Sequence, residues 1–380
     1  MRSFPSASVA AAFPPELDAS TLRNWLEQGH PVTVLDVRPA DQRAEWAIPG
    51  SRHVPVYEQL KAGVAQVFEG MAIPQNQPVV TVCAAGRMSQ RVAVQLQVLG
   101  YDVYSLTGGM GAWGGMWNTA ELVLPAEQAT VVQVRRTGKG CLSYLIGSRN
   151  EAVVVDASVD PAVYQELAAR YGWRITAVLE THLHADHLSR ARDLATQIGA
   201  RLLLPANSPA RFAFVPLAAE EPVPVGNTSL QVLATPGHTW DSVCFRLGNG
   251  ALLTGDTLFL QGVGRPDLKA DEAEAEAKAR QLHASLQALL ALSDTLWVLP
   301  AHTSEPVPFD GRVLAATLGE VRHHTSLLNL APAAFVPALL SRVPPAPGNY
   351  HRISQLNAEA APWPAEAEAL EAGANRCAVR

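Results

Sequence analysis

The run Thr181-His182-Leu183-His184-Ala185-Asp186-His187 follows directly on the apolar stretch Ile175 to Leu179. The chain holds 11 histidines in 380 residues, and three of them fall in this run. Imidazole nitrogens and carboxylate oxygens are the usual ligands of zinc and iron. A turn at the carboxyl end of a strand is where open α/β sheets present their chemistry. One histidine in a turn is most often a solvated or structural residue, but this density at a strand end points to a metal. Three later segments repeat the arrangement. His238 lies in Thr235-Pro236-Gly237-His238-Thr239, Asp256 in Thr254-Gly255-Asp256-Thr257 and His302 in Pro300-Ala301-His302, each just past an apolar run.

Around these turns the sequence reads as alternating strands and helices. Val131–Val134, Leu142–Ile146 and Ala152–Asp156 form consecutive short strands, followed by a helix over Ala162–Tyr171 and a strand over Ile175–Leu179. Strands over Leu202–Leu204, Leu230–Leu233, Ser242–Leu247 and Ala251–Thr254 come next, then a long helix over Ala270–Leu292 and a strand over Leu296–Leu299. This is an α/β layered pattern with much antiparallel sheet. The first third of the chain differs. Strands over Val32–Val37, Pro78–Cys83 and Tyr101–Leu106 alternate with helices over Ser20–Gln28 and Ser89–Leu99, which predicts a parallel sheet with covering helices. A boundary is expected between Thr119 and Glu127. The alanine- and glutamate-rich segment after Pro362 reads as a loose helix or disorder with no assigned role. The reading is therefore a domain over residues 15–122, a second over 127–360 and a tail over 361–380.

Length and composition suit two cores, with 48 % hydrophobic residues. A net charge of -6 gives no general attraction to nucleic acid or to an anionic membrane. No apolar run approaches the roughly 18–20 residues that span a bilayer, and Met1 to Pro15 lacks the core of a signal peptide. Four cysteines far apart, Cys83, Cys141, Cys244 and Cys377, form no disulfide framework, so a reducing cytoplasm is expected. Cys141 and Cys244 sit in apolar strand contexts and read as core residues, and Cys377 carries no inference.

Cys83 is different. It ends an apolar strand and is followed by the loop Ala84-Ala85-Gly86-Arg87-Met88 and a helix expected to begin at Ser89. Backbone N–H groups and the positive end of a helix dipole favour a thiolate there, and the thiolate is the nucleophile. Gly86 allows the backbone dihedrals of a tight loop. Leu35-Asp36-Val37-Arg38, Glu45, Ile48-Pro49-Gly50-Ser51, Tyr101-Asp102-Val103-Tyr104, Gly108-Gly109 and Trp113 surround it in sequence. Together they resemble the rhodaneses over roughly Pro15 to Thr119, including the family's Cys-x-x-Gly-x-x-Ser loop from Cys83 to Ser89. The resemblance implies that Cys83 carries a sulfane sulfur as a persulfide. Met88 stands where a basic residue is frequent, with Arg87 one position earlier, and Ala84 replaces another basic residue, so binding of an anionic donor such as thiosulfate is expected to be weak.

The ordered histidine and aspartate motifs resemble the metallo-β-lactamase superfamily over roughly Glu127 to Asn357. That family implies an αββα sandwich with its metal site at one edge. Its members include two-zinc hydrolases of glyoxalase II type and iron-dependent persulfide dioxygenases. His182, His184, Asp186, His187, His238, Asp256 and His302 suit either. The stretch Gly262-Val263-Gly264-Arg265-Pro266-Asp267-Leu268 resembles the Gly-Arg-x-Asp stretch of persulfide dioxygenases, and Pro344 to Tyr350 with Leu356-Asn357 resembles those fused to rhodanese domains. This resemblance implies one Fe(II) per chain held by His182, His238 and Asp256, a face of two histidines and one carboxylate that leaves positions for O2 and substrate. His184, Asp186, His187, His302, Arg265 and Asp267 are then groups behind the ligands. Arg190 stands where glycine is usual and is expected to narrow the pocket or to add a charge contact there. The implied partners are a small-molecule persulfide, O2, and sulfite or thiosulfate, in a homo-oligomer. The alternative is a dinuclear zinc thioester hydrolase beside a rhodanese module.

Overall fold

The computed structural model describes residues 14–64, 67–68, 70–218, 221–364, 366–371 and 375–380. Residues 1–13 of the N-terminal stretch lie outside the described residues. The chain divides into two compact units, Met1–Met116 and Trp117–Arg380. The stretch expected as a boundary, Thr119–Glu127, is instead mostly strand. Asn118–Leu124 pairs antiparallel with Ala129–Arg135 along its whole length, because alternate residues in it bury against the second unit's sheet.

The first unit is a five-stranded parallel sheet in the order Glu16–Leu17, Val103–Leu106, Val79–Val82, Thr33–Asp36, Arg52–His53. Val79–Val82 is central and wholly buried, which is why it reads as an unbroken apolar run. Helices Ala19–Glu27 and Arg87–Val98 flank the sheet. Asp18 caps the first of them, its carboxylate accepting from the Thr21 N–H.

The second unit packs two sheets face to face between helices. A seven-stranded sheet runs from Val215–Leu217 through Arg201–Pro205, Arg174–Leu179, Glu151–Val155, Leu142–Ser148 and Ala129–Arg135 to Asn118–Leu124. A six-stranded sheet runs from Val223–Val225 through Thr228–Ala234, Val243–Leu247, Ala251–Gly255 and Trp297–Pro300 to Ala316–Thr317. Between them lie Val131, Tyr144, Ile146, Val153 and Leu179 from one sheet and Val232, Phe245, Leu253 and Leu299 from the other. The outer face of the first sheet is covered by Pro161–Tyr171 and Ala191–Ile198. Glu272–Leu290 covers the other sheet, burying Ala275, Ala279, Leu282, Leu286 and Leu289 at helical spacing. Each such leucine contributes roughly 1.5–3 kcal/mol on burial. This is the αββα sandwich expected from the sequence. Among the described residues no helix is long and apolar enough to cross a membrane.

The segment after residue 360 is not the loose tail expected. Ala367–Glu371 forms a 3-10 turn, and Ala378–Val379 pairs antiparallel with Gly262–Gly264, adding a strand beside the residues that follow Asp256.

Candidate functional site

Strand Arg174–Leu179 has parallel neighbours on both sides, so the chain leaves it at a shared carboxyl edge. The residues that follow, Glu180 to His187, are buried except for the half-buried Ala185. The opposite sheet delivers His238 after Thr228–Ala234, Asp256 after Ala251–Gly255 and His302 after Trp297–Pro300. All of these side chains are buried at the same edge of the sandwich.

His182, His238 and Asp256 each present one donor atom, and the three atoms lie within 4.8 Å of one another. His238 Nε2 is 3.5 Å and His182 Nε2 3.9 Å from Asp256 Oδ2. The other ring nitrogens are held from behind. His238 Nδ1 lies 2.8 Å from the Arg265 carbonyl oxygen and must donate to it, which leaves Nε2 with its lone pair. His182 Nδ1 lies 3.0 Å from Thr181 Oγ1. Burial, with the neighbouring histidines, pulls His182 well below its ordinary pKa, and burial lowers His238 too, so both are neutral. Asp256 stays ionised. Burial opposes its charge, but His302 above all, then His238 and His182, hold its carboxyl far below the usual range. Its Oδ1 is 2.5 Å from His302 Nδ1, and its Oδ2 has no hydrogen-bond partner among the described residues.

A buried carboxylate oxygen with no donor is costly. Two neutral imidazoles aimed at it offer lone pairs, not protons. A divalent cation satisfies all three, so the donor set fits a metal. The spacing fits as well, since ligands about 2.0–2.2 Å from one ion stand roughly 3–3.5 Å apart.

The remaining histidines are arranged otherwise. His184 does not join the trio. Its Nε2 lies 3.2 Å from Asp156 Oδ1 and 3.3 Å from Glu180 Oε2. Burial opposes its charge, yet these two carboxylates raise its pKa. Glu180 is pushed up to about 7, chiefly by burial. Asp156 is set in the left-handed region at φ 56° and accepts from the Thr181 backbone N–H and hydroxyl. Asp186 is in direct contact with two imidazoles: His187 Nδ1 is 3.0 Å from its Oδ1, and His302 Nε2 is 2.8 Å from its Oδ2. Cys141, buried as expected of a core cysteine, is not in apolar company. Its Sγ is 3.7 Å from Asp186 Oδ2. Burial disfavours its thiolate, but His187 brings the thiol down to about 6. Cys244 does behave as a core thiol, pushed up by burial to about 12.

Arg265 and Asp267 form a paired buttress behind His238. The Arg265 guanidinium meets both Asp267 oxygens at 2.8 Å and donates to the Pro344, Pro345 and Arg376 carbonyls. Asn357 donates to the carbonyls of His184 and His187, which pins the histidine run. The Arg190 guanidinium lies 4.6 Å from the centre of the Trp363 ring. Beside His302 opens a cavity of about 500 Å³, walled in part by Phe259, Thr303, Asn375, Arg376 and Arg380.

The sequence missed Asp156, Glu180, Cys141, Glu371, Asn375 and Cys377. Glu371 forms a buried ion pair with Arg136 at 2.9 Å and accepts from the Leu188 N–H. Asn375 Nδ2 donates to Asp186 Oδ2 at 3.1 Å. Cys377 Sγ is within 4.8 Å of donor atoms of Asp256 and His302. Glu180 adjoined the motif and was legible in principle. Cys141 heads an apolar strand, Asp156 is a single carboxylate at the end of one, and Glu371, Asn375 and Cys377 lie in an alanine-rich tail, so none carried a local signal.

In the first unit, Cys83 is buried at the end of Val79–Val82, and the helix begins at Arg87, two residues before the expected Ser89. Gly86 precedes it at φ 87°, as the turn requires. Cys83 Sγ lies 3.5 Å from Ser89 Oγ, which in turn donates to the Gly86 carbonyl at 2.8 Å. The carbonyls of Cys83 and Ala84 accept from the N–H groups of Met110 and Gly111. A Cβ at Gly109 would meet the Cys83 carbonyl oxygen at 2.2 Å, so only glycine fits there. Ala84, Ala85, Arg87 and Met88 complete the loop, with Ala84 and Ala85 exposed.

Two family models match parts of the chain. Residues 18–116 match the rhodanese-like domain and residues 136–212 the metallo-beta-lactamase superfamily. A hydroxyacylglutathione hydrolase from Anaeromyxobacter dehalogenans is 35 % identical over 212 residues, covering 52 % of this chain and 79 % of that protein. Another from Acidiphilium cryptum is 36 % identical over 162 residues, covering 42 % of this chain and 63 % of its own length. The crystal structure of ETHE1 from Myxococcus xanthus is 27 % identical with a TM-score of 0.50, over 63 % of this chain and 97 % of that one. A metallo-beta-lactamase from Staphylococcus aureus is 25 % identical with a TM-score of 0.54, over 65 % and 73 %. The chain belongs to the metallo-beta-lactamase superfamily. More particularly, it joins a metallo-beta-lactamase domain to a preceding rhodanese-like domain.

Proposed function

We propose that the chain is a persulfide dioxygenase with a sulfur-transfer module: it oxidises a low-molecular-weight persulfide with O2 and water to thiol and sulfite at one iron per chain. The observation that carries this reading is the contrast in spacing. The donor atoms of His238 and His182 stand 3.5 and 3.9 Å from Asp256 Oδ2, leaving room for an ion. By contrast His302 stands 2.8 Å from Asp186 and 2.5 Å from Asp256, and His184 Nε2 stands 3.2 and 3.3 Å from the Asp156 and Glu180 carboxylates. Bound by His182, His238 and Asp256, iron would supply open positions for O2 and a persulfide and a redox capacity that zinc lacks. The protein's own part is to hold those ligands. Arg265 keeps His238 in the tautomer with Nε2 free, Thr181 steadies His182, and His302 orients Asp256. Neutral imidazoles and an ionised carboxylate are the required ligand states.

In the rhodanese-like domain, the Cys83 thiolate would attack the outer sulfur of thiosulfate. The S–S bond breaks, sulfite leaves and Cys83 becomes a persulfide; the reverse transfer is equally allowed. Joining the two activities in one chain raises the effective concentration of one site's product near the other.

A second reading, a dinuclear zinc thioester hydrolase, draws on the names of the hydrolase relatives and on the four buried donors Cys141, Asp186, His187 and His302. O2 uptake tests between them. Protein loaded anaerobically with Fe(II) is expected to consume O2 on adding a persulfide. His182→Ala is expected to lower the rate at least a hundredfold and Cys83→Ser to leave it within twofold. Hydrolysis of a glutathione thioester without O2 uptake would replace the dioxygenase reading with the hydrolase.

A further inference from the structure

Next to the trio stands a second set of donors that is almost a metal site. Cys141, Asp186, His187 and His302 are all buried, and one donor atom from each lies within 4.8 Å of the others. Among the described residues His187 Nε2 has no hydrogen-bond partner, and His302 Nε2, though 2.8 Å from Asp186 Oδ2, is not in hydrogen-bonding geometry with it. What closes the set is a residue from the far end of the chain. Asn375 Nδ2 donates to Asp186 Oδ2 at 3.1 Å, on the oxygen that also faces His302 Nε2 and Cys141 Sγ. The other oxygen of Asp186 is held by His187 Nδ1.

We propose that Asn375 is a positioning residue that sets the metal count: its amide occupies Asp186 and so keeps a second cation from being held by Cys141, Asp186, His187 and His302. This inference rests on the one-metal reading above. Asp186 Oδ2 accepts from the Asn375 amide and from the Cys141 thiol, so both of its lone pairs are taken and a cation there must displace one of the two donors. The Asn375 side chain is itself fixed, since its Oδ1 accepts from the Cys377 N–H at 3.0 Å. The backbone around it is anchored too. Arg265 N–H donates to the Cys377 carbonyl, and Ala378–Val379 is paired with Gly262–Gly264. The amide therefore arrives at Asp186 on a held strand. Thiolate, carboxylate and two imidazoles form a donor set that suits zinc or cobalt.

Cobalt substitution reports on both sites at once, because a thiolate ligand adds a near-ultraviolet charge-transfer band that nitrogen and oxygen ligands do not. The full chain, stripped of metal, is titrated with Co(II) or Zn(II) and its metal content measured. Wild type is expected to bind one ion with no thiolate band. Asn375→Ala, and Asn375→Asp of the same size, are each expected to bind a second ion with that band. Cys141→Ser in the Asn375→Ala background is expected to remove the band. One ion and no band in both Asn375 variants, with folded circular dichroism spectra, would overturn the role of Asn375 and leave the one-metal reading standing. Two ions and the band in wild type would overturn the one-metal reading itself.

Discussion

Asp36 shows how a single buried charge is tolerated in the first unit. Its two oxygens accept from the Arg38 guanidinium at 2.7–3.3 Å and from Arg43 at 3.1 Å, and it has no exposed surface. Burial opposes its charge, but Arg38 first and Arg43 with it hold its carboxyl below the usual carboxylate range. A carboxyl depressed in the folded state adds stability that is present above its unfolded pKa and lost as pH falls through the folded one. The rhodanese-like domain is therefore expected to lose stability on acidification below about pH 4, in thermal melts of the full chain. Asp36→Asn leaves Arg38 buried beside a neutral amide and is expected to cost about 3–5 kcal/mol, removing most of that acid dependence. An unchanged melting profile would mean the pair is not desolvated. Leu35-Asp36-Val37-Arg38 was legible as a family pattern, but the pairing of Asp36 with Arg43 was not, because six residues of intervening chain hide the contact from any local rule.

At the scale of elements, the metal edge depends on close approach. Gly262–Gly264 runs between two of the candidate ligands: a Cβ on Gly264 would meet the Asp256 carbonyl oxygen at 2.1 Å and His238 Cβ at 2.9 Å. Gly264→Ala is thus expected to push the Asp256 and His238 segments apart. The measured outcome would be at least a tenfold loss of iron affinity with a melting temperature lowered by a few degrees. Full iron affinity in this variant would show that the two segments move independently of the strand. The strands and helices themselves were largely legible, because apolar runs such as Val79–Val82 and Leu142–Ser148 are buried on both faces. The boundary expected at Thr119–Glu127 overlaps strand Asn118–Leu124, whose two-residue alternation is weak and whose partner strand lies just after it.

For the whole molecule, the seven residues gathered at the sandwich edge come from four turns spread over 121 positions, His182 to His302. Their chemistry was legible, since each follows an apolar strand. Their division of labour was not. That His184 faces Asp156 and Glu180, that Asp186 faces Asn375, and that Cys141 stands beside them are facts of packing between segments far apart in sequence. The C-terminal segment was the largest omission. Asn375 and Cys377 reach the metal edge beside the pairing of Ala378–Val379 with Gly262–Gly264, and Glu371 through its ion pair with Arg136 and the Leu188 N–H.

In the proposed reaction one iron, held by His182, His238 and Asp256, supports oxidation of a persulfide. The most direct test counts metal and O2 together in anaerobically purified, Fe(II)-loaded full-length protein. One iron per chain is expected, with O2 uptake stoichiometric with sulfite formed from a thiol persulfide and loss of both iron and uptake in Asp256→Ala. Two bound zinc ions with thioester cleavage and no O2 uptake would contradict it.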